Sequence, residues 1–161
     1  MTSKMRNRAG DSLRRLVDLV SHRSGLVLAV MDDCSVTLPQ VLLVSYVERC
    51  GSASHSDLSE RSNVSAPAMS QMIERLVRQG LLRRTEDAAD RRRKIIVVTP
   101  HARALLRKLE IARSSEYELG LVSVSPKIQA RLALILEQVI GEVERGRPNE
   151  GAAPGRGKRF G

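Results

Sequence analysis

Ala66, Pro67, Ser70, Gln71, Arg75 and Arg78 fall on the side of a helix opposite Met69, Met72, Ile73 and Leu76, with Ser65 at its start. The polar side carries residue types that read or grip nucleic acid. A glutamine amide offers a donor and an acceptor that match the N6/N7 edge of adenine, so Gln71 is the candidate for a bidentate base contact. Ser65 and Ser70 suit a phosphate or a base edge. Ala66, Pro67 and the adjacent Ala68 are small enough to let the helix start approach bases and touch thymine methyls. Arg75 and Arg78, further along, are placed to hold phosphates and orient the helix. Beyond them Arg91, Arg92, Arg93 and Lys94 form an unbroken cationic run. Four like charges on a loop repel one another and add no packing, so their use lies with a polyanion. A narrow minor groove is the natural seat for one arginine. Asp90 beside them suits orienting an arginine better than meeting a phosphate. Taken alone, the helix could equally be a surface helix with incidental polar residues; the parts around it decide.

Those parts come in a recognisable order. Ser54 and Asp57 form a capping box that opens a short helix to about Ser62. Asn63 fits a left-handed turn position, Ser65 caps the next helix, and Gly80 closes it. Leu81–Thr85 and Lys94–Val98 are strand candidates joined by the loop Glu86–Arg93. Thr99-Pro100 restarts a helix that runs to around Leu119, and Gly120 to Ser123 break it. Upstream, Thr37, Pro39 and Gln40 make a helix start, Val41 to Glu48 are apolar at almost every position, and Gly51 ends the segment. That segment is expected to be the buried central helix. Helix, turn, helix and basic ribbon together predict a winged helix-turn-helix, in which the second helix enters a major groove and the ribbon reaches the flanking backbone.

Two further helices flank this unit. Leu13, Leu16, Val17 and Val20 make one apolar stripe, interrupted at Gly25 and continued to about Met31, before a turn at Asp32–Ser35. After Ser125-Pro126, a second stripe runs through Ile128, Leu132, Ile135, Leu136, Val139 and Val143. A compact monomer could not easily cover both stripes, which predicts a homodimer. The expected fold class is mainly α with a small β-ribbon wing. The expected division is a flexible basic N-terminus (1–10), dimerisation helices (11–36 and 120–145), a winged helix-turn-helix domain with linking helix (37–119) and a disordered basic tail (146–161).

Composition agrees with this plan. Among 161 residues, 42% are apolar but only 2% aromatic (Tyr46, Tyr117, Phe160), so the core is aliphatic, as suits packed helices better than a sandwich. The formal charge of +9 points to a polyanionic partner. Its distribution is informative: residues 61–94 hold nine Lys/Arg against four Asp/Glu, the first fifteen residues and residues 145–161 each hold five against one, and the rest of the chain is net acidic. Double-stranded DNA is therefore the expected partner. Cys34 and Cys50 lack metal-ligand spacing and read as free structural thiols, and His22, His55 and His101 show no metal spacing either, with His55 and His101 expected to be solvated. No metal or cofactor is expected. No Ser/His/Asp arrangement, glycine-rich phosphate loop or acid/base carboxylate pair suggests an enzyme. No apolar run approaches the roughly 20 residues that span a bilayer, and the start lacks a signal-peptide core, so no membrane partner and a cytoplasmic location are expected.

From Leu38-Pro39-Gln40 to Leu109 the chain resembles the MarR (multiple antibiotic resistance regulator) family of bacterial transcription factors. The resemblance is carried by Asp57-Leu58-Ser59-Glu60-Arg61, Asn63-Val64-Ser65, Arg75 to Arg84, Asp90-Arg91-Arg92 and Thr99-Pro100. It implies a homodimer whose first and last helices interlock, a pseudo-palindromic operator, a repressor more often than an activator, and release by a small-molecule effector bound between dimer and DNA-binding regions. Tyr46 is the candidate for an effector contact, set against a packed tyrosine with a satisfied hydroxyl. Ser62 departs from the family pattern, standing where a buried Leu is usual, and Ala102 stands where Gly is usual. Two other readings compete with a specific regulator: an architectural protein of low sequence specificity, and a protein-interaction module that has lost DNA binding.

Overall fold

A computed structural model describes residues 3–21, 25–62, 64–87 and 94–146. The element order is α1 (Ser3–Val20), α2 (Leu26–Asp33), α3 (Leu38–Cys50), β1 (Ala53–Ser54), α4 (His55–Arg61), α5 (Ala66–Arg78), β2 (Leu82–Glu86), β3 (Lys94–Val98), α6 (Pro100–Leu121) and α7 (Pro126–Gly146). This is the expected mainly helical class with a small antiparallel sheet. The described chain divides into two compact units, residues up to 30 with 109–146, and residues 31–108. The boundary therefore falls inside α6 rather than at the break after Leu119, because a continuous helix carries its second half in with the flanking helices.

In the unit of residues 31–108, short-range caps set the helix ends. The backbone N–H of Thr37 donates to Gln40 Oε1 at 2.9 Å at the start of α3, and Gly51, at φ +75°, ends it. At α4 the box is reciprocal: Asp57 N–H donates to Ser54 Oγ at 3.1 Å, and Ser54 N–H donates to Asp57 Oδ2 at 3.0 Å. Helix α5 ends in a Schellman motif, with Leu81 N–H donating to the Leu76 carbonyl and Gly80 N–H to that of Val77. Gly80 takes the left-handed φ of +68° this requires. Thr99 then ties the start of α6 back to that turn: its hydroxyl donates to the Gly80 carbonyl at 2.6 Å and accepts from Ala102 N–H at 3.2 Å.

Three strands form the sheet in the order β1-β3-β2. The ribbon β2–β3 is legible from its apolar residues, one residue out of place at Leu81. The two-residue β1 is not, being too short for any alternation; Ala53 pairs with Ile96 and Ser54 with Ile95. Sheet and helices close over an aliphatic core of Val44, Val47, Leu58, Met69, Ile73, Leu76, Leu82, Ile96 and Val98. Fully burying one such side chain contributes about 1.5–3 kcal/mol. Helix α3 buries Gln40, Val41, Leu43, Val44 and Val47 but leaves Leu38 and Leu42 exposed. It is thus buried on one face, not all round.

The other unit departs further from expectation. Helix α1 starts at Ser3, so the basic N-terminal segment is helical rather than flexible. Lys4, Met5, Arg6, Arg8 and Ala9 are all good helix formers, and that propensity prevails over their mutual charge repulsion. The interrupted first helix is two helices, because Gly25 adopts φ +66° just before α2. A glycine has no side chain to cap α2. Glu116, only 2% exposed on α6, supplies an acceptor instead, and Val27 N–H donates to its Oε1 at 3.3 Å. A carboxylate at a helix start is also favoured by the helix dipole.

Gly120 is not a helix breaker here. It lies within α6, where a Cβ would fall 2.6 Å from both Cα and Cβ of Val20. Ordinarily Gly→Ala in a helix gains up to about 1 kcal/mol. Against backbone that cannot yield, overpacking of about 1–3 kcal/mol wins. Gly120→Ala is therefore expected to lower stability in urea unfolding, whereas Gly10→Ala, with nothing within 4 Å of its Cβ, raises it. Equal effects at both positions would show that the close approach is not real.

Helix α7 buries no residue along its length. Ile135, Val139 and Val143 remain 54%, 52% and 52% exposed, and on α1 Leu13 is 55% exposed. Most helical stability comes from packing an apolar face, and among the described residues much of these two faces stays uncovered. Among the described residues, no single helix is long and apolar enough to cross a membrane.

Candidate nucleic-acid interface

Helix α5 separates its two faces cleanly. Met69, Ile73 and Leu76, at i, i+4 and i+7, are buried and hold the helix on the core. Met72 is half-buried. Ser65, Ala66, Pro67, Gln71, Arg75 and Arg78 lie on the solvent side. Pro67, Gln71 and Arg78 form a straight row, with Arg75 beside it, so one solvent-facing stripe presents an amide and two guanidinium groups. Ser65 occupies the N-cap position but makes no side-chain cap bond, and its hydroxyl therefore remains available to a ligand.

Ser70 is placed differently from its neighbours. It is half-buried, and its hydroxyl lies 2.7 Å from His55 Nε2 at the start of α4. A hydroxyl so engaged ties the two helices of the motif together. His55, expected to be solvated, is half-buried by the same contact. No local pattern signals a bond between residues fifteen apart; only the packing of α4 on α5 brings them together.

The stripe also holds an acid that sequence reasoning misses. Glu74 lies between Gln71 and Arg78, and its Oε1 is 3.6 Å from Arg84 Nη2 of β2. Half-exposed pairs of this kind contribute little to stability. Their value here is electrostatic, since Arg84 offsets a carboxylate that would otherwise repel a phosphate. Arg83 and Arg84 are both exposed on β2 and extend the basic surface from helix to ribbon. The i+3 spacing of Glu74 from Gln71 is the available signal.

At the far end of the ribbon, Glu86 and Lys94 are register partners, and Lys94 Nζ lies 3.0 Å from Glu86 Oε1. Lys94 thus begins a strand and is paired across it. Arg91, Arg92 and Arg93 lie outside the described residues, as does Asn63. The tail from 147 onward also lies outside them. Cys34 is half-exposed and Cys50 exposed, both as free thiols.

Helices α3, α4 and α5 followed by an antiparallel ribbon make a winged helix-turn-helix. Residues 36–94 match the family model described as the MarR family. Over that stretch the chain is similar to the MarR family. The matched stretch begins at the loop before α3 and ends at the first residue of β3, so the MarR match holds the whole of α5 and most of the ribbon. Solved structures share the fold over more of the chain. Transcriptional regulator Tm0710 from Thermotoga maritima superposes with a TM-score of 0.75 at 22% identity, covering 86% of this chain and 96% of that one. YusO from Bacillus subtilis gives 0.61 at 20% identity, covering 88% and 98%. A MepR mutant from S. aureus, bound to an oligodeoxyribonucleotide, gives 0.56 at 16% identity, covering 89% and 99%. No curated protein matches the chain. At these identities the structures testify to a common fold, and the likeness of residues 36–94 to the MarR family rests on their own sequence match.

Proposed function

We propose that the protein is a sequence-specific transcriptional regulator, acting as a homodimeric repressor on a pseudo-palindromic operator and released by a small-molecule effector. The observation that carries this reading is the exposed row Pro67, Gln71 and Arg78, with Arg75 beside it, on a helix whose opposite face is locked into the core. Gln71 supplies direct readout, while Arg75 and Arg78 hold phosphates. The uncovered apolar faces of α1 and α7 support the dimer. The oligodeoxyribonucleotide held by S. aureus MepR supports DNA as the partner of this shape.

Selection of bound fragments from random duplex DNA tests the reading. The expected result is a shared motif with two-fold symmetry and half-sites about one helical turn apart. Bound fragments with no common motif would sink the regulator reading and favour architectural binding.

Salt dependence tests the ribbon. Neutralising Arg91, Arg92 and Arg93 together is expected to flatten the slope of log K against log salt by about 0.9 for each phosphate that the ribbon ceases to neutralise. The preferred sequence should change little apart from positions read through a minor-groove arginine. An unchanged slope would remove the ribbon tip from the interface.

A further inference from the structure

The turn that closes α2 holds a serine where glycine is the usual residue. Val36 N–H donates to the Met31 carbonyl at 2.9 Å and Ser35 N–H to that of Asp32 at 2.8 Å, the two bonds of a Schellman motif. The motif needs a left-handed residue, and Ser35 takes φ +52°, the only positive φ on a non-glycine among the described residues. A side chain in that region is strained, and such strain persists only where the surroundings hold it. The hold comes from the end of α5. Gln79, its cap residue, donates from Nε2 to the Ser35 carbonyl at 3.0 Å. Gln79 Oε1 is buried and takes no hydrogen bond from the described residues. Burying an acceptor unpaired is unfavourable, so the amide is placed for the use of its donor.

The chain passes between its two compact units twice, after Val30 inside α2 and after Lys108 inside α6. The crossing in α6 lies within a continuous helix, which is stiff. The crossing in α2 is followed almost at once by the turn at Ser35. Of the two connections, this one has a joint, and the residue that grips the joint belongs to the helix carrying Gln71.

We propose that Gln79 is a positioning residue whose bond to the Ser35 carbonyl latches this joint and fixes the half-site spacing that the dimer accepts. The spacing role rests on the regulator reading above. A latched turn fastens the end of α5 to the end of α2. Without the latch the strained serine relaxes out of the left-handed region, and α5 is free to shift with it. Lengthening an operator by one base pair moves the second half-site by about 3.4 Å and rotates it by about 35°. A latched pair of helices cannot follow that displacement; an unlatched pair can.

Two measurements on the full chain test the latch. Titration of spacer variants of the selected operator reads the spacing, and hydrogen exchange at the Val36 amide reads the turn without DNA. The wild type should favour one spacing over those one base pair longer or shorter by about tenfold or more, because only that spacing lets both half-sites be bound at once. Gln79→Met removes the donor and no other bond of the amide. It should cut this preference to about threefold or less with the half-site sequence unchanged. It should also speed exchange at Val36 about tenfold and leave the Val44 and Val47 amides of α3 as they were. In a Ser35→Gly background, glycine rests in the left-handed region unaided, so there Gln79→Met should keep the preference within about twofold of wild type. Should Gln79→Met fold poorly, Gln79→Glu decides in its place, since it keeps the shape and sets a carboxylate against the Ser35 carbonyl.

Unchanged exchange at Val36 overturns the latch. Affinity that falls equally at every spacing makes Gln79 merely structural and overturns the spacing role. Equal losses with Ser35 and with Gly at that position overturn the part given to strain. If selection yields no common motif, the regulator reading falls and the spacing role with it, while exchange at Val36 still decides whether Gln79 holds the turn. A wild type that selects a motif but tolerates every spacing equally refutes the spacing role and keeps the regulator.

Discussion

Val139→Glu is expected to convert the protein to a monomer and to weaken operator binding by about 100-fold or more. Val139 lies midway along α7, on a 21-residue helix that buries nothing within its own chain. Val143 follows it one turn later and Ile135 precedes it by one turn, each about half exposed. In the dimer reading this stripe is an interface core, where an unpaired carboxylate is strongly disfavoured. Losing the dimer costs more than the interface. Two linked reading units bind the second half-site intramolecularly, and such linkage raises affinity by about 10²–10⁴ without any new contact. Sedimentation equilibrium and an operator titration measure both effects. A Val139→Glu protein that stays dimeric and keeps its affinity would place the interface elsewhere.

Gln71→Ala is expected to act at the other level, on which sequence is preferred. One bidentate base contact is worth about 1–3 kcal/mol of discrimination. A symmetric dimer makes the contact twice, so the loss is about 2–6 kcal/mol, or roughly 30-fold to 10⁴-fold. The effect should vanish on operators already altered at the base pair Gln71 reads, because there the wild-type amide has no matching edge to bond. The salt slope should not move, since an amide releases no counterion. Arg75→Ala gives the opposite pattern: a flatter slope with little change in preference. If Gln71→Ala weakens all sequences equally, Gln71 positions the helix and something else reads the bases.

The two predictions draw on features of different legibility. The exposed stripe of α5 can be placed from the sequence because helical periodicity and two end signals, Ser65 and Gly80, act within a few residues. The same locality makes the capping boxes at Thr37 and Ser54 and the restart at Thr99-Pro100 readable. The Ser70–His55 contact escapes the sequence for the complementary reason. A wheel assigns a direction to each side chain but not a neighbour, and His55 arrives from another helix. Gly120 reads as a break because glycine disfavours helix, yet in α6 it is the residue that lets Val20 approach.

By itself, then, the sequence determined the order of the longer elements from α3 to α7, the mainly helical class, the two faces of α5 and the basic bias of residues 61–94, all consequences of propensity and spacing along the chain. Only the tertiary structure decided that Ser70 and Lys94 are already partnered, that Glu74 meets Arg84, that Glu116 caps α2 and that Gln79 reaches Ser35. Each of these depends on which residues meet across elements distant in sequence. That is set by how whole faces pack, and no short-range pattern encodes it.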